Sequence, residues 1–415
     1  MKQKKRVPKR RFKGFTDEWE TFILSDITDV YDGTHQTPKY VNRGVMFLSV
    51  ENIKSLKSNK YISKEAFTKG FKNFPEKGDV LMTRIGDIGT ANVLEVDKYV
   101  AYYVSLALLK TKNVYPYFLV ANISSTPVQT ELWKRTLHIA FPKKINKNEI
   151  EKVKINIPKR KEQQKIGHFF KQLDEMITLQ QRKVEKTKAL KSAYLTEMFP
   201  AEGERVPKRS FAGFTDEWEE RYLFDNIKSI IDFRGRTPRK LGLEWNESET
   251  GYLALSALNV KNGYIDFNAD VHYGNQELYD KWMAGRELRK GQVLFTTEAP
   301  MGNVAQVPDN RGYILSQRTI AFDVIPEKIT NEFLAVLLRS PRTFAKLSTL
   351  SSGGTAKGVS QKSLEQLKVI VPTNLEEQQK IGYFFKQLDD IITNHQRKLE
   401  KLQAIKQAYL QEMFV

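Results

Sequence analysis

Residues 162–199 place Ile166, Phe170, Leu173, Ile177, Gln180, Val184, Thr187, Lys191, Tyr194 and Met198 in alternating steps of four and three. That spacing lays one stripe along an α-helix and predicts the seam of a coiled coil. The stretch has no proline and one glycine near its start, so one long helix is expected. Residues 377–414 repeat the pattern with Ile381, Phe385, Leu388, Ile392, His395, Leu399, Leu402, Lys406, Tyr409 and Met413. Polar positions near the middle of each seam cost stability but fix register. Outside these stretches the apolar runs are short. VMFLSV, DVLMTRI, VSLALL and VKINIP, broken by Gly, Pro and Asn, predict strands, and YPYFLVANI and NEFLAVLLRS predict short helices. The expected class is α+β: two tandem globular parts separated by two long helices that pair as an antiparallel coiled coil in a pseudo-twofold arrangement.

Self-comparison supports that plan. EQQKIG stands at 162–167 and at 377–382, and 27 of 39 positions from there onward are identical. VPKRRFKGFTDEWE at 7–20 returns as VPKRSFAGFTDEWE at 206–219, with 12 of 14 positions the same. Weaker echoes lie between: Thr37-Pro38-Lys39 against Thr237-Pro238-Arg239, and GDVLMTRIGDIG at 78–89 against GQVLFTTEAPMG at 291–302. The offsets rise steadily from 199 to 215, as in a tandem duplication with insertions, and a period near 200 residues is too long for a solenoid. The expected segments are a basic arm at 1–15, a first globular part at 16–160, a long helix at 161–200, a linker at 201–214, a second part at 215–375 and a second helix at 376–415. The two chain ends then fall at equivalent places and are expected to lie close together. About 36 helical residues extend some 55 Å, roughly one and a half turns of duplex DNA.

Composition narrows the chemistry. The chain has no cysteine, which excludes disulfides and thiolate metal sites. No run approaches the roughly 18–20 apolar residues of a membrane span, and the basic start lacks the apolar stretch of a secretory signal, so a cytoplasmic protein with no membrane partner is expected. The net charge is +18. Residues 2–13 carry eight bases and no acid, whereas the repeated helices are nearly neutral. A polyanionic partner is therefore expected, nucleic acid before membrane.

Motifs for catalysis are missing. The five histidines form no HxH or HExxH pair, there is no GxSxG or GxxxxGK[ST], and SSGGTAKGVS at 351–360 lacks the Lys-Ser/Thr end of a phosphate loop. No metal site and no catalytic residue is expected. What remains is binding, by polar and basic loops at matching places in both halves: Thr34, Gln36, Lys39, Thr83 and Arg84 in the first, and Arg234, Arg236, Arg239, Lys240, Gln317, Arg318 and Lys357 in the second. Arginine pairs with guanine, glutamine with adenine, and threonine or lysine meets phosphate. Seam residues for pairing or partner docking are Ile166, Phe170, Leu173, Ile177, Val184 and Tyr194, with Ile381, Phe385, Leu388, Ile392, Leu399 and Tyr409.

GFTDEWE with ILSDITDVYDGTHQTP, its copy GFTDEWEERYLFDNIKSIIDFRGRTP, the two GDVL/GQVL segments and the EQQKIG…FFKQLD helices together resemble the specificity subunit of type I restriction-modification systems. The resemblance implies a non-catalytic reader of double-stranded DNA whose two target recognition domains each bind half of a split site. It implies a coiled coil that sets the gap and docks two modification (methyltransferase) subunits, joined by restriction and translocase subunits. Cofactors would belong to those companions: S-adenosylmethionine, ATP and Mg2+, none held by this chain. Two other readings stay open at this point, a coiled-coil adaptor that never meets DNA and the recognition part of a fused DNA methyltransferase.

Overall fold

The computed structural model describes residues 6–247, 250–353 and 357–415. The start of the basic arm (1–5) and the middle of the Gly-rich loop (354–356) lie outside the described residues. The chain divides into two compact units, residues 1–180 with 398–415, and residues 181–397. The division passes through both long helices, so each unit holds one globular part and a stretch of each helix.

In the first unit the middle layer is a four-stranded antiparallel sheet of β1 (Thr28–Asp32), β2 (Val80–Ile85), β3 (Asp87–Val93) and β4 (Leu106–Thr111), in the order β1-β4-β2-β3. Its central strands β2 and β4 carry the apolar runs 80–82 and 106–109, because both of their faces are covered. Val80, Met82, Ala107 and Leu109 face a core shared with Trp19 and Phe118, while Leu81, Leu106 and Leu108 face a core around Phe47 and Tyr102 on a three-stranded sheet. The second unit repeats this with β5 (Ile227–Asp232), β6 (Val293–Thr296), β7 (Val304–Gln306) and β8 (Thr319–Val324), in the order β5-β8-β6-β7. Val293, Phe295, Ile320 and Phe322 face one core, and Leu294 and Ala321 the other. Each globular part enters and leaves on one antiparallel strand pair, Glu20 opposite Ile157 and Glu219 opposite Val371.

Four helices seat the globular parts: α1 (Pro116–Ile123), α2 (Arg160–Glu197), α3 (Asn331–Leu337) and α4 (Leu375–Glu412). The two long ones run antiparallel inside each unit. In the first, Asp174 pairs with Lys406 and the Phe169 ring lies 5.0 Å from that of Tyr409. In the second, Lys191 pairs with Asp389 and Tyr194 lies 5.0 Å from Phe384. Of the expected seam residues, Ile166, Phe170, Leu173, Val184, Ile381, Phe385, Leu388 and Leu399 are buried. Ile177, Tyr194, Ile392 and Tyr409 are half-buried. No described helix is long and apolar enough to cross a membrane.

The repeated Trp-containing segment binds the helix ends. Arg10 donates its backbone N–H to the Glu412 carbonyl at 2.9 Å and pairs with the Glu412 carboxylate. Arg209 does the same to Glu197, also at 2.9 Å. A cation at a helix C-terminus is favoured by the helix dipole. The segment around residue 10 therefore lies against the C-terminal end of α4, at residue 412. Three of the arm's described bases are engaged in the fold: Arg6 bonds Thr21, Arg10 binds Glu412, and Arg11 grips the buried Glu162 carboxylate with bonds of 2.6 and 2.7 Å.

EQQKIG explains itself at this join. Gln163 accepts from the Tyr115 N–H and donates to the Pro158 carbonyl, and Gln378 accepts from the Thr330 N–H and donates to the Pro372 carbonyl. A side chain at Gly167 or Gly382 would run into the backbone of α1 or α3. The hexapeptide is thus the seat on which each globular part rests.

The two seats differ in one charge. Arg11 has Ser210 as its counterpart, so Glu377 lacks the arginine that Glu162 has and, among the described residues, accepts only the Trp218 indole N–H at 3.3 Å. Burial pushes the Glu377 carboxyl above the ordinary glutamate range. A carboxyl whose folded pKa exceeds its unfolded one stabilises the fold below the unfolded value and loses that contribution as pH rises through the folded value. Glu377→Gln is therefore expected to stabilise the second unit by about 1 kcal/mol at neutral pH and to have no such effect at acid pH. Ser210→Arg, which restores the partner, is expected to act in the same direction. Thermal unfolding at both pH values checks this, and a stabilisation that is equal at both would contradict it.

Candidate nucleic-acid interface

The strand register gathers the candidate loops at one end of each sheet. In the first unit Asp32 lies opposite Ala107, Thr83 opposite Leu106 and Ile85 opposite Asp87. Segments 33–44, 103–105 and the turn at Gly86 thus share an end. In the second unit Asp232 lies opposite Ile320 and Thr296 opposite Thr319. That brings 233–240, 297–303 and 316–318 together, and the segment around Gly358 joins them through its bridge to Glu298.

The expected site residues divide by what their side chains already hold. Gln36, Lys39, Arg239, Gln317 and Lys357 are exposed, and none of these side chains is engaged by another among the described residues. Thr34 is half-buried and its hydroxyl turns back on the Gln36 backbone at 3.3 Å. Arg234 is clamped by Asp232 within its own loop, and Arg318 lies 3.2 Å from Glu298. Lys240 donates to the Gly235 carbonyl at 2.8 Å. Arg236 stacks over Phe233 and donates to the Trp282 carbonyl.

Thr83 and Arg84 stand apart from the rest. Both are buried, because both faces of β2 are covered along this stretch. Thr83 closes the Thr90 turn, its hydroxyl accepting from the Thr90 N–H at 3.0 Å. Arg84 pairs with Asp32 and donates its Nε–H to the Ile145 carbonyl at 3.1 Å. These two hold the loop end together and present nothing to a ligand.

One element at the same end has no distinct signature in the sequence. Residues 137–144 form a hairpin closed by the Leu137 N–H to the Lys144 carbonyl at 2.8 Å, and docked on the end of β2 by the Ile85–Lys144 bridge and by the Gly86 N–H to the Lys143 carbonyl at 2.8 Å. Its run LHIAFPKK has the mixed apolar character of an ordinary core segment. The proline and the two lysines after it are the only signal that it is a surface turn.

The comparisons bear on this geometry. The family described as the type I restriction modification DNA specificity domain matches the chain twice, at residues 16–189 and 215–404. A Methanocaldococcus jannaschii protein assigned as the type I restriction enzyme MjaX specificity subunit is 23% identical over 409 residues, covering 94% of this chain and 91% of that protein. The type I restriction enzyme MjaVIII specificity subunit of the same organism is 23% identical over 272 residues, 63% of this chain and 61% of that one. Among solved structures, the S subunit of a type I restriction-modification system from M. genitalium superposes with a TM-score of 0.69 at 13% identity, over 99% of both chains. That likeness concerns the fold.

Proposed function

The chain belongs to the type I restriction modification DNA specificity family, and from that premise we propose that it is the DNA-reading subunit of such a system, each loop end reading one half of a split double-stranded site. The observation that supports this most is the convergence, in both units, of exposed polar and basic side chains at one end of the four-stranded sheet. Gln36 and Lys39 serve the first unit; Arg239, Gln317 and Lys357 serve the second. The two ends carry different side chains on one scaffold, as reading two different half-sites requires.

In this proposal the antiparallel helices fix the gap between half-sites and offer their exposed faces to two modification subunits, with restriction and translocase subunits joining them. The chain performs no catalysis. S-adenosylmethionine serves adenine methylation in the modification subunits, and ATP and Mg2+ serve the restriction subunits. In this proposal the protein works in the cytoplasm, beside the DNA it reads.

The test is binding by the chain assembled with its modification subunits, on a duplex carrying the motif mapped from the methylated genome. Preference for that duplex over a scrambled one is expected, with log K falling by about 0.9 per log salt for each phosphate contact. Lys39→Ala is expected to weaken binding to all sequences alike and to reduce the slope by about one contact. Equal binding to mapped and scrambled duplexes would refute the reading.

A further inference from the structure

The hairpin 137–144 carries its apolar side chains outward. Ile139 is 99% exposed and Phe141 is fully exposed, at the tip of a turn whose two ends are bonded to each other and to β2. Single exposed apolar residues are common on protein surfaces. Here Trp133 and Leu137, both exposed as well, extend the two tip residues into a patch. Such a patch marks an interaction site.

Its surroundings indicate the partner. No acidic residue stands between Glu131 and Glu149, whereas Lys143 and Lys144 follow the tip directly. Neither lysine has a carboxylate partner among the described residues, and Lys143 lies over the Trp133 ring at 4.6 Å. His138 braces the same indole, its ring 4.3 Å away and its Nε2 2.9 Å from the Trp133 carbonyl. The base is rigid, the tip apolar, the flanks cationic, and the whole projects from the end that carries Gln36 and Lys39. A polyanion with an apolar interior at reach of a narrow tip fits all four features. Stacked bases behind a phosphate backbone are that chemistry.

We propose that Ile139 and Phe141 form an apolar wedge which the first unit presses against the bases at its half-site, unstacking a step while Lys143 and Lys144 hold the flanking phosphates. Phe and Ile are side chains with which DNA-binding proteins open base steps. The sequence of the matching segment in the second unit, SSGGTAKG, whose ends meet in the Ser352–Gly358 bridge, holds no large apolar residue. The two half-sites are thus held by different forces, one partly by apolar contact and the other by polar and charged groups. The inference rests on the proposal that the chain reads DNA.

The test uses the chain assembled with its modification subunits and duplexes bearing the mapped site, with 2-aminopurine placed along the half-site that exchange of the first globular part identifies. Ile139→Ser with Phe141→Ser removes only exposed groups and leaves the hairpin bonds intact. This double variant is expected to lose roughly ten- to a hundredfold in affinity with an unchanged salt slope, and to abolish the fluorescence rise that the wild type gives. Lys143→Ala with Lys144→Ala is expected to make the slope shallower by up to about two contacts. A serine variant that binds DNA as the wild type does overturns the inference. If that variant also assembles poorly, the tip is a docking surface for a modification subunit instead. A wild type that fails to distinguish mapped from scrambled duplex overturns the DNA-reading proposal and the wedge with it.

Discussion

Replacing Asp389 by alanine is expected to destabilise the second unit by about 3–5 kcal/mol, read as the fall in its urea unfolding midpoint. Asp389 accepts from two cations at once, Lys191 on α2 and, at 2.6 Å, Arg339 from the segment after α3. The three side chains are 7–13% exposed. Burial, and then the neighbouring Arg339 charge, pull the Lys191 ammonium below the ordinary lysine range. Without the carboxylate, two cations stay in a place with little water. The matching pair in the first unit, Asp174 with Lys406, is 45% and 25% exposed, so Asp174→Ala is expected to cost only about 0–1 kcal/mol. Exchanging all three residues for apolar ones (Lys191→Met, Arg339→Met, Asp389→Leu) should recover most of the loss. Equal losses for Asp389→Ala and Asp174→Ala would show that desolvation is not the cause.

Gly382→Ala is expected to cost about 1–3 kcal/mol, although alanine is the better helix former by about 1 kcal/mol. The new Cβ would stand 2.8 Å from the Phe333 backbone nitrogen at the start of α3, where neither backbone can yield without lifting the globular part from its helix. Gly167→Ala should behave alike, its Cβ 2.6 Å from the Phe118 nitrogen on α1. Chemical denaturation of both variants checks the pair, and a stabilised variant would mean that the globular parts do not rest on these glycines.

Most of the fold was legible because repetition and periodicity are properties of the chain itself. The heptad spacing gave the long helices, and their recurrence after each globular part gave the antiparallel pairing. The offsets between repeats gave the two similar parts, and runs such as DVLMTRI and VSLALL became strands. Less legible was what a polar residue does once buried. Thr83 and Arg84 follow an apolar run and resemble readers, yet β2 is covered on both faces there, and Asp32 and the Ile145 carbonyl use up the arginine. Glu162 and Gln163 look like solvated helix surface, yet they are buried where the first globular part is seated on α2. The same blindness hid the hairpin 137–144, since sequence does not tell an apolar residue in a core from one left in water. Burial is decided by distant segments, such as Arg11 meeting Glu162, and spacing along the chain carries no trace of that.

The central claim is that the two units read separately. Residues 20 and 157 sit side by side on one strand pair, so the segment between them can be exchanged for its equivalent from another family member through two adjacent junctions. The most direct measurement is the methylated genome of cells expressing the chain with residues 20–157 so exchanged. The account predicts a new motif in which one half-site has changed while the other half-site and the gap between them are kept. A change in the second half-site, or in the gap, would contradict it.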